Sequence, residues 1–342
     1  MTGKRNRGLL LICFIVGLVF ACSNKNQENQ YASMPDELVK IYKAIEKEPN
    51  NASLYLDLSS YYMKTKQLDS ALNNALVAIR LDSGNANVYV AVSDVYFSMN
   101  YIDNAEEMLE KAIALDNKNN EAYLKLGELY FLLKDYQQSE EILLKSLQQT
   151  EYNPRAYHIL AWNYREKGDT SLAIRYYLTA VEQDPDYFDA YTELGILYHY
   201  RHNPLAIDYY NNALNIQPDN IQILYNIAMF YQETKEYEKA LEKYRMILQI
   251  DENHKYALHN IGWIYLMGED KFEEAVVFFS KAIEQDTTYI EAIYNRGLSF
   301  EQLKKYDNAR QDYMYSLRLI TNYPLAIEGL NRLDKLQSLK RN

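Results

Sequence analysis

Residues 120–153 read NEAYLKLGELYFLLKDYQQSEEILLKSLQQTEYN, two stretches of helical periodicity on either side of the polar break Lys134-Asp135. In the first stretch Gly127 stands three residues before Tyr130, and in the second Ser139 and Ser146 lie seven apart. A glycine inside a helix costs roughly 1 kcal/mol relative to alanine. Its presence marks a place where two helices must approach closely, with the aromatic residue one turn later filling the space beside the contact.

The same arrangement recurs outward in both directions. Aromatic residues fall at Tyr62, Tyr96, Tyr130, Tyr164, Tyr198, Tyr231, Tyr265 and Phe300, at spacings of 34, 34, 34, 34, 33, 34 and 35. Aromatics make up 13% of the chain, so eight hits in eight periods is a repeat. Three residues before each aromatic is a small one: Ser59, Ser93, Gly127, Ala161, Gly195, Ala228, Gly262 and Gly297. A second small series runs Ala71, Ala105, Ser139, Ala173, Ala206, Ala240, Ala275 and Ala309. A third runs Ala78, Ala112, Ser146, Ala180, Ala213, Ile247, Ala282 and Ser316, with Ile247 the one breach. Turn chemistry closes the periods, as in Asp184-Pro185-Asp186 and Gln217-Pro218-Asp219-Asn220.

These residues resemble the tetratricopeptide repeat (TPR). The resemblance implies an all-α protein, an α-solenoid of about eight helix-turn-helix repeats forming a right-handed superhelix with a terminal capping helix. The period places the repeats at 52–85, 86–119, 120–153, 154–187, 188–220, 221–254, 255–289 and 290–323. Residues 36–51 read as an N-terminal half-repeat helix. Residues 324–342 read as the capping helix, with Leu330, Leu333, Leu336 and Leu339 on or near one face. A helix pair cannot bury both of its faces alone, so stability comes from stacking neighbours and capping the ends.

At the N-terminus Lys4, Arg5 and Arg7 precede an apolar run from Leu9 to Ala21, short for a membrane span and right for a secretory leader. The pattern by itself fits an ordinary signal peptide, an uncleaved anchor or a lipoprotein leader. Leu18-Val19-Phe20-Ala21-Cys22 resembles the lipobox of bacterial lipoproteins. That resemblance implies a signal peptide over 1–21, lipidation of Cys22, and loss of Cys13 with the leader. Residues 22–35 are then a polar tether that keeps the folded part near the bilayer. Ser23, with no aspartate in its place, fits that family's sorting to the outer membrane, and the location the resemblance implies is a lipoprotein of the cell envelope facing the periplasm.

Composition excludes several functions. The 342 residues carry 36 basic and 47 acidic side chains, a formal net charge of -11. A nucleic-acid binder needs a basic footprint that this chain lacks, so no nucleic-acid partner is expected. Two cysteines cannot build a disulfide scaffold or a Cys-rich zinc site. His199 and His202 are close, but Asn203-Pro204 follows and no third ligand is marked, so no metal is expected. Nor does the sequence hold a phosphate loop, a nucleophile elbow or a singled-out pair of carboxylates. No cofactor and no enzyme activity are expected.

The positions the repeat framework leaves unused carry the functional reading. In the resembled family the first helices line the concave surface through their second, fifth, sixth, ninth, twelfth and thirteenth positions. Early in this chain that wall is polar, with Ser53, Asp57, Asn87 and Asp94, and Phe97 and Phe131 begin an apolar strip. Later it holds His158, Trp162, Arg165, Ile196, His199, Tyr225, Asn226, Met229, Tyr256, His259, Asn260, Trp263, Tyr294 and Asn295. Asn226, Asn260 and Asn295 share one register, and an amide both donates and accepts, so it can read peptide backbone without demanding a sequence. Glu291 and Asn295 stand where the carboxylate-clamp subgroup would have lysine and arginine, which disfavours that subgroup. The expected peptide-binding set is Trp162, Tyr225, Asn226, Met229, Tyr256, His259, Asn260, Trp263, Tyr294 and Asn295. The expected function is a membrane-anchored scaffold that binds segments of envelope proteins, with a glycan-handling lipoprotein using the aromatic strip as the alternative.

Overall fold

The computed structural model describes Tyr31 and residues 34–341, with side chains up to residue 337. The expected leader, Cys22, most of the expected tether and the side chain of Leu339 lie outside the described residues. Among the described residues there are eighteen helices and no strand.

The chain divides into two compact units, Met1–Glu151 and Tyr152–Asn342. The first holds α1 (Asp36–Lys47), α2 (Ala52–Lys64), α3 (Leu68–Leu81), α4 (Ala86–Ser98), α5 (Ile102–Leu115), α6 (Asn120–Leu132) and α7 (Tyr136–Gln149). The second holds α8 (Pro154–Glu166), α9 (Thr170–Gln183), α10 (Phe188–Tyr200), α11 (Leu205–Ile216), α12 (Ile221–Glu233) and α13 (Tyr237–Ile250). It continues with α14 (Lys255–Met267), α15 (Phe272–Gln285), α16 (Ile290–Gln302), α17 (Tyr306–Leu319) and α18 (Pro324–Arg341). From α2 on, helices in each unit pack most closely in consecutive pairs, and each pair packs on the next. This nearest-neighbour stacking is the all-α solenoid.

Local chemistry starts and stops the helices. Asn51, Asn85, Asn119, Asn153 and Asn220 each cap the first helix of a pair by accepting a backbone N–H through the side chain. Such caps are worth about 1 kcal/mol each. Between the two helices of every pair one residue is left-handed: Lys66, Asn100, Lys134, Gly168, His202, Lys235, Asp270 and Lys304. The residue after it donates its N–H to the carbonyl of the framework aromatic, as Asp135 does to Tyr130 (2.9 Å) and Glu236 to Tyr231 (2.7 Å). The framework aromatic therefore also anchors the turn, a Schellman-type closure.

The small series lie at the contacts. Ala71, Ala105, Ser139, Ala173, Ala206, Ala240, Ala275 and Ala309 are all at most 1% exposed. The buried serines are satisfied locally, Ser59 Oγ donating to the Ala71 carbonyl (2.9 Å) and Ser139 Oγ to that of Gly127 (2.7 Å). Close approach at the glycines is real, but a second-helix side chain requires it, not the framework aromatic. A Cβ on Gly195 would lie 2.4 Å from the Tyr210 ring, and one on Gly127 2.7 Å from Leu143.

The last helix is tied down by charge and apolar contact. Arg332 pairs with Glu301 through two hydrogen bonds of 2.9 Å, and Ala326 and Leu333 are buried. Leu336, expected near the same face, is 37% exposed.

Candidate functional site

In the second unit the second-helix rings Tyr177, Tyr210, Tyr244, Phe279 and Tyr313 are all at most 1% exposed. In three of them the hydroxyl reaches the twelfth residue of its own first helix. The Tyr244 hydroxyl donates to Gln232 Oε1 at 3.0 Å, and that of Tyr313 to Glu301 Oε2 at 2.6 Å. The Tyr210 hydroxyl lies 3.4 Å from His199 Nδ1. Phe279, which has no hydroxyl, shares its core cluster with the apolar Leu266 at the corresponding place. In repeat four the Tyr177 hydroxyl has no hydrogen-bond partner among the described residues, while the cation at the twelfth place, Arg165, is paired with Glu193.

The three register-related asparagines do not share one environment. Asn260 is 8% exposed. Its amide donates to the hydroxyls of Tyr225 (3.0 Å) and Tyr244 (2.9 Å). Its Oδ1 accepts from His259 Nδ1 at 3.0 Å. The other imidazole nitrogen, Nε2, accepts from Asn295 Nδ2 at 3.1 Å, which fixes the tautomer. Burial pulls the His259 pKa down, so the ring in this chain of bonds is neutral. Asn226 differs: it accepts from Gln222 Nε2 at 2.9 Å, and its own Nδ2 has no partner among the described residues.

The structure brings Tyr225, Met229, His259, Asn260 and Asn295 into this one network, with Met229 Sδ 3.5 Å from the Asn260 amide. Trp263 is partly buried against the surrounding core. Tyr256 is 48% exposed, its ring edge-on to Tyr289 and beneath Lys255 Nζ at 5.1 Å. Lys255 and Thr288 in turn hold the Asp286 carboxyl down at about 2. Tyr294 packs on Tyr313 and Tyr323 at the end of the stack. Trp162 stands apart in repeat four, edge-on to His158 with ring centres 4.4 Å apart. His158 is 3% exposed with Nδ1 unpartnered among the described residues, and burial, then Arg165 and Arg155, lowers its pKa to about 4.

A cavity of about 500 Å³ opens between α10 and α12. Its lining includes two of the expected residues, Asn226 and Met229, with Ile196, His199, Gln222 and Glu233. Thr192 and Tyr200 line it too; Tyr210 comes from the second helix and His202 from the turn. Glu233 Oε2 lies 3.1 Å from His199 Nε2 and 3.9 Å from His202 Nδ1. Thr192, Gln222 and Glu233 were absent from the expected set. The signal for them was in the sequence, since they occupy the fifth, second and thirteenth positions of their helices. Among the described residues no group of three or more His, Cys, Asp or Glu could hold a metal ion. Among them, too, no helix is long and apolar enough to cross a membrane.

Over 157 residues the chain is 34% identical to the type IV pilus assembly protein PilF of Pseudomonas aeruginosa, a match covering 43% of this chain and 60% of PilF. It is 26% identical over 156 residues to human protein O-mannosyl-transferase TMTC3, covering 40% of this chain and 17% of that protein. The chain thus spans less than two thirds of the length of either relative. Among solved structures it resembles the C-terminal part of a TPR repeat-containing protein from Cytophaga hutchinsonii, with TM-score 0.62, 21% identity, and coverage of 70% of this chain and 98% of that one. The Pseudomonas aeruginosa PilF structure superposes with TM-score 0.51 at 18% identity, covering 58% of this chain and 91% of that one. At these identities the likeness is one of fold. Family profiles described as tetratricopeptide repeat match residues 86–119, 120–186, 176–207, 219–288 and 290–323. With its helix pairs stacked in the same manner, the chain belongs to the tetratricopeptide-repeat family.

Proposed function

We propose that this protein is a membrane-anchored scaffold of the bacterial cell envelope that binds extended segments of partner proteins in the assembly of an envelope complex. The observation that carries the reading is the first-helix face of the second unit. There Asn226, with an unused amide donor, and Met229 line the cavity between α10 and α12, and exposed Tyr256 follows in the next repeat. Amide donors serve peptide carbonyls, and aromatic and thioether groups serve the side chains between them. The share of sequence held in common with a pilus assembly protein supports an assembly role. Asn260 enters this reading as the residue that positions Tyr225 and His259, because its own amide is consumed internally. The anchor is the lipid on Cys22, supported by the Ala21-Cys22 boundary.

The test is capture from detergent-solubilised envelopes on the full-length chain, comparing wild type with Asn226→Ala and Tyr256→Ala. A protein partner retained by wild type and lost from both variants, with melting temperatures unchanged, supports the reading. Retention by both variants places the interface elsewhere, and capture of glycan alone replaces the scaffold with a glycan-handling role.

A further inference from the structure

The cavity between α10 and α12 has a one-sided electrostatic character. Glu233 supplies its one carboxylate, and no lysine or arginine lines it. His199 and His202 engage Oε2 of that carboxylate, while Oε1 has no partner among the described residues. Thr192 Oγ1, on the opposite helix, is shielded from solvent and also lacks a hydrogen-bond partner among the described residues. Asn226 Oδ1 spends one lone pair on Gln222 and keeps the other. Two residues with spare acceptor capacity, Glu233 and Asn226, thus line a space with the buried Thr192 hydroxyl beside it, Ile196 and Met229 as apolar walls and the 80% exposed Tyr200 ring among its lining.

The complementary group is a cation with several donors, a methylene stem and a planar head. A guanidinium meets all three requirements: five N–H groups in a fixed fork, weak hydration, and a face that stacks on an aromatic ring. An ammonium also has three donors but is a compact, strongly hydrated charge with no planar face to stack on a ring. We propose that this cavity is a specificity pocket that takes an arginine side chain of the bound segment. The proposal rests on the peptide-binding reading given above and adds to it the chemistry of one partner residue.

The probe is Nα-acetyl-arginine amide, compared with its uncharged isostere Nα-acetyl-citrulline amide and with Nα-acetyl-lysine amide. Each is titrated into the detergent-solubilised full-length chain carrying ¹³C-methyl labels on methionine and isoleucine. The expected result is saturable shifts of the Met229 and Ile196 methyl signals by the arginine probe, with affinity at least about ten-fold above citrulline and lysine between them. Glu233→Gln brings arginine down to the citrulline level while the melting temperature holds. Thr192→Val, which keeps the shape of the side chain, weakens arginine by a smaller factor. Equal affinity for arginine and citrulline, indifference to Glu233→Gln, or no shift at tens of millimolar overturns the assignment.

The two readings fail separately. An arginine titration that matches citrulline removes the pocket even where Asn226→Ala still abolishes partner capture. Capture that survives both Asn226→Ala and Tyr256→Ala removes the peptide-binding face even where the probe binds.

Discussion

Tyr244 donates its hydroxyl to Gln232 at 3.0 Å, joining the fully buried ring of a second helix to the twelfth residue of the first helix in the same repeat. The pairing recurs as Tyr210 with His199 and Tyr313 with Glu301. In the first unit the second-helix residues at the same place are Ala75, Leu109 and Leu143, and the twelfth residues are Met63, Phe97 and Phe131. A buried hydroxyl without a partner costs about 1–3 kcal/mol, which explains why polar tips and polar twelfth residues occur together. The twelfth position of the first helix is therefore polar where the core ring is tyrosine and apolar where it is not.

Phe279 and Leu266 allow a direct test of that coupling. Phe279→Tyr should destabilise the protein by about 1–3 kcal/mol, by burying a hydroxyl against an apolar neighbour. Adding Leu266→Gln should recover part of the loss. A double-mutant cycle in urea measures it, and a coupling energy near zero would sink the explanation.

Gly195 and Gly84 should respond oppositely to alanine. A Cβ at Gly195 meets the Tyr210 ring at 2.4 Å, whereas one at Gly84 meets nothing within 4 Å. Gly195→Ala should cost about 1–3 kcal/mol and displace the ring beside the cavity. Gly84→Ala should be neutral or stabilising by up to about 1 kcal/mol. Thermal denaturation of the pair settles the point; equal effects would mean that Tyr210 repacks freely.

Asn260 and Asn226 share a register and should differ in what their loss does. Asn260→Ala removes a buried amide and takes their partner from the Tyr225 hydroxyl and His259 Nδ1, while Tyr244 keeps Gln232, so a loss of about 2 kcal/mol is expected. Asn226→Ala, at a half-buried site with one internal bond, should stay within about 0.5 kcal/mol. Similar costs for the two would contradict the environments described.

Stability should fall with acid through His158. Its folded pKa is lowered from 6.5 to about 4 by burial, reinforced by Arg165 and Arg155. Between those values the unfolded chain takes up the proton first, so the contribution is complete above about pH 6.5 and is lost as pH falls towards 4. The whole shift corresponds to roughly 3 kcal/mol, and His259 is displaced in the same direction. His158→Phe, placed among the rings of Trp162, Tyr177 and Tyr187, should flatten the curve. A variant as acid-sensitive as wild type would assign the loss elsewhere.

Cys22→Ala should abolish labelling of the protein by a fatty-acid probe and leave the precursor uncleaved by the lipoprotein peptidase. Normal acylation of the variant would remove the proposed anchor.

The all-α repeat fold was legible in the sequence because its cause is local and periodic. Small residues recur wherever helices touch, and a spacing of about 34 between Tyr62, Tyr96 and their successors leaves no other architecture to fit. The identity of the turn residue was less legible, since lysine at Lys66, Lys134, Lys235 and Lys304 carries no sign of a left-handed backbone. Register also marks which positions share the first-helix face, although Thr192, Gln222 and Glu233, which occupy such positions, were absent from the expected set. What register could not tell was which of those side chains are already spoken for. Asn226 and Asn260 hold the same place in successive repeats, yet only Asn260 lies within reach of two tyrosine hydroxyls, one from the preceding first helix and one from a buried ring of the second. Those partners are 35 and 16 residues away. Whether a polar group stays available to a ligand depends on such side-chain distances, which a one-dimensional period does not contain and which are decided when the helices pack.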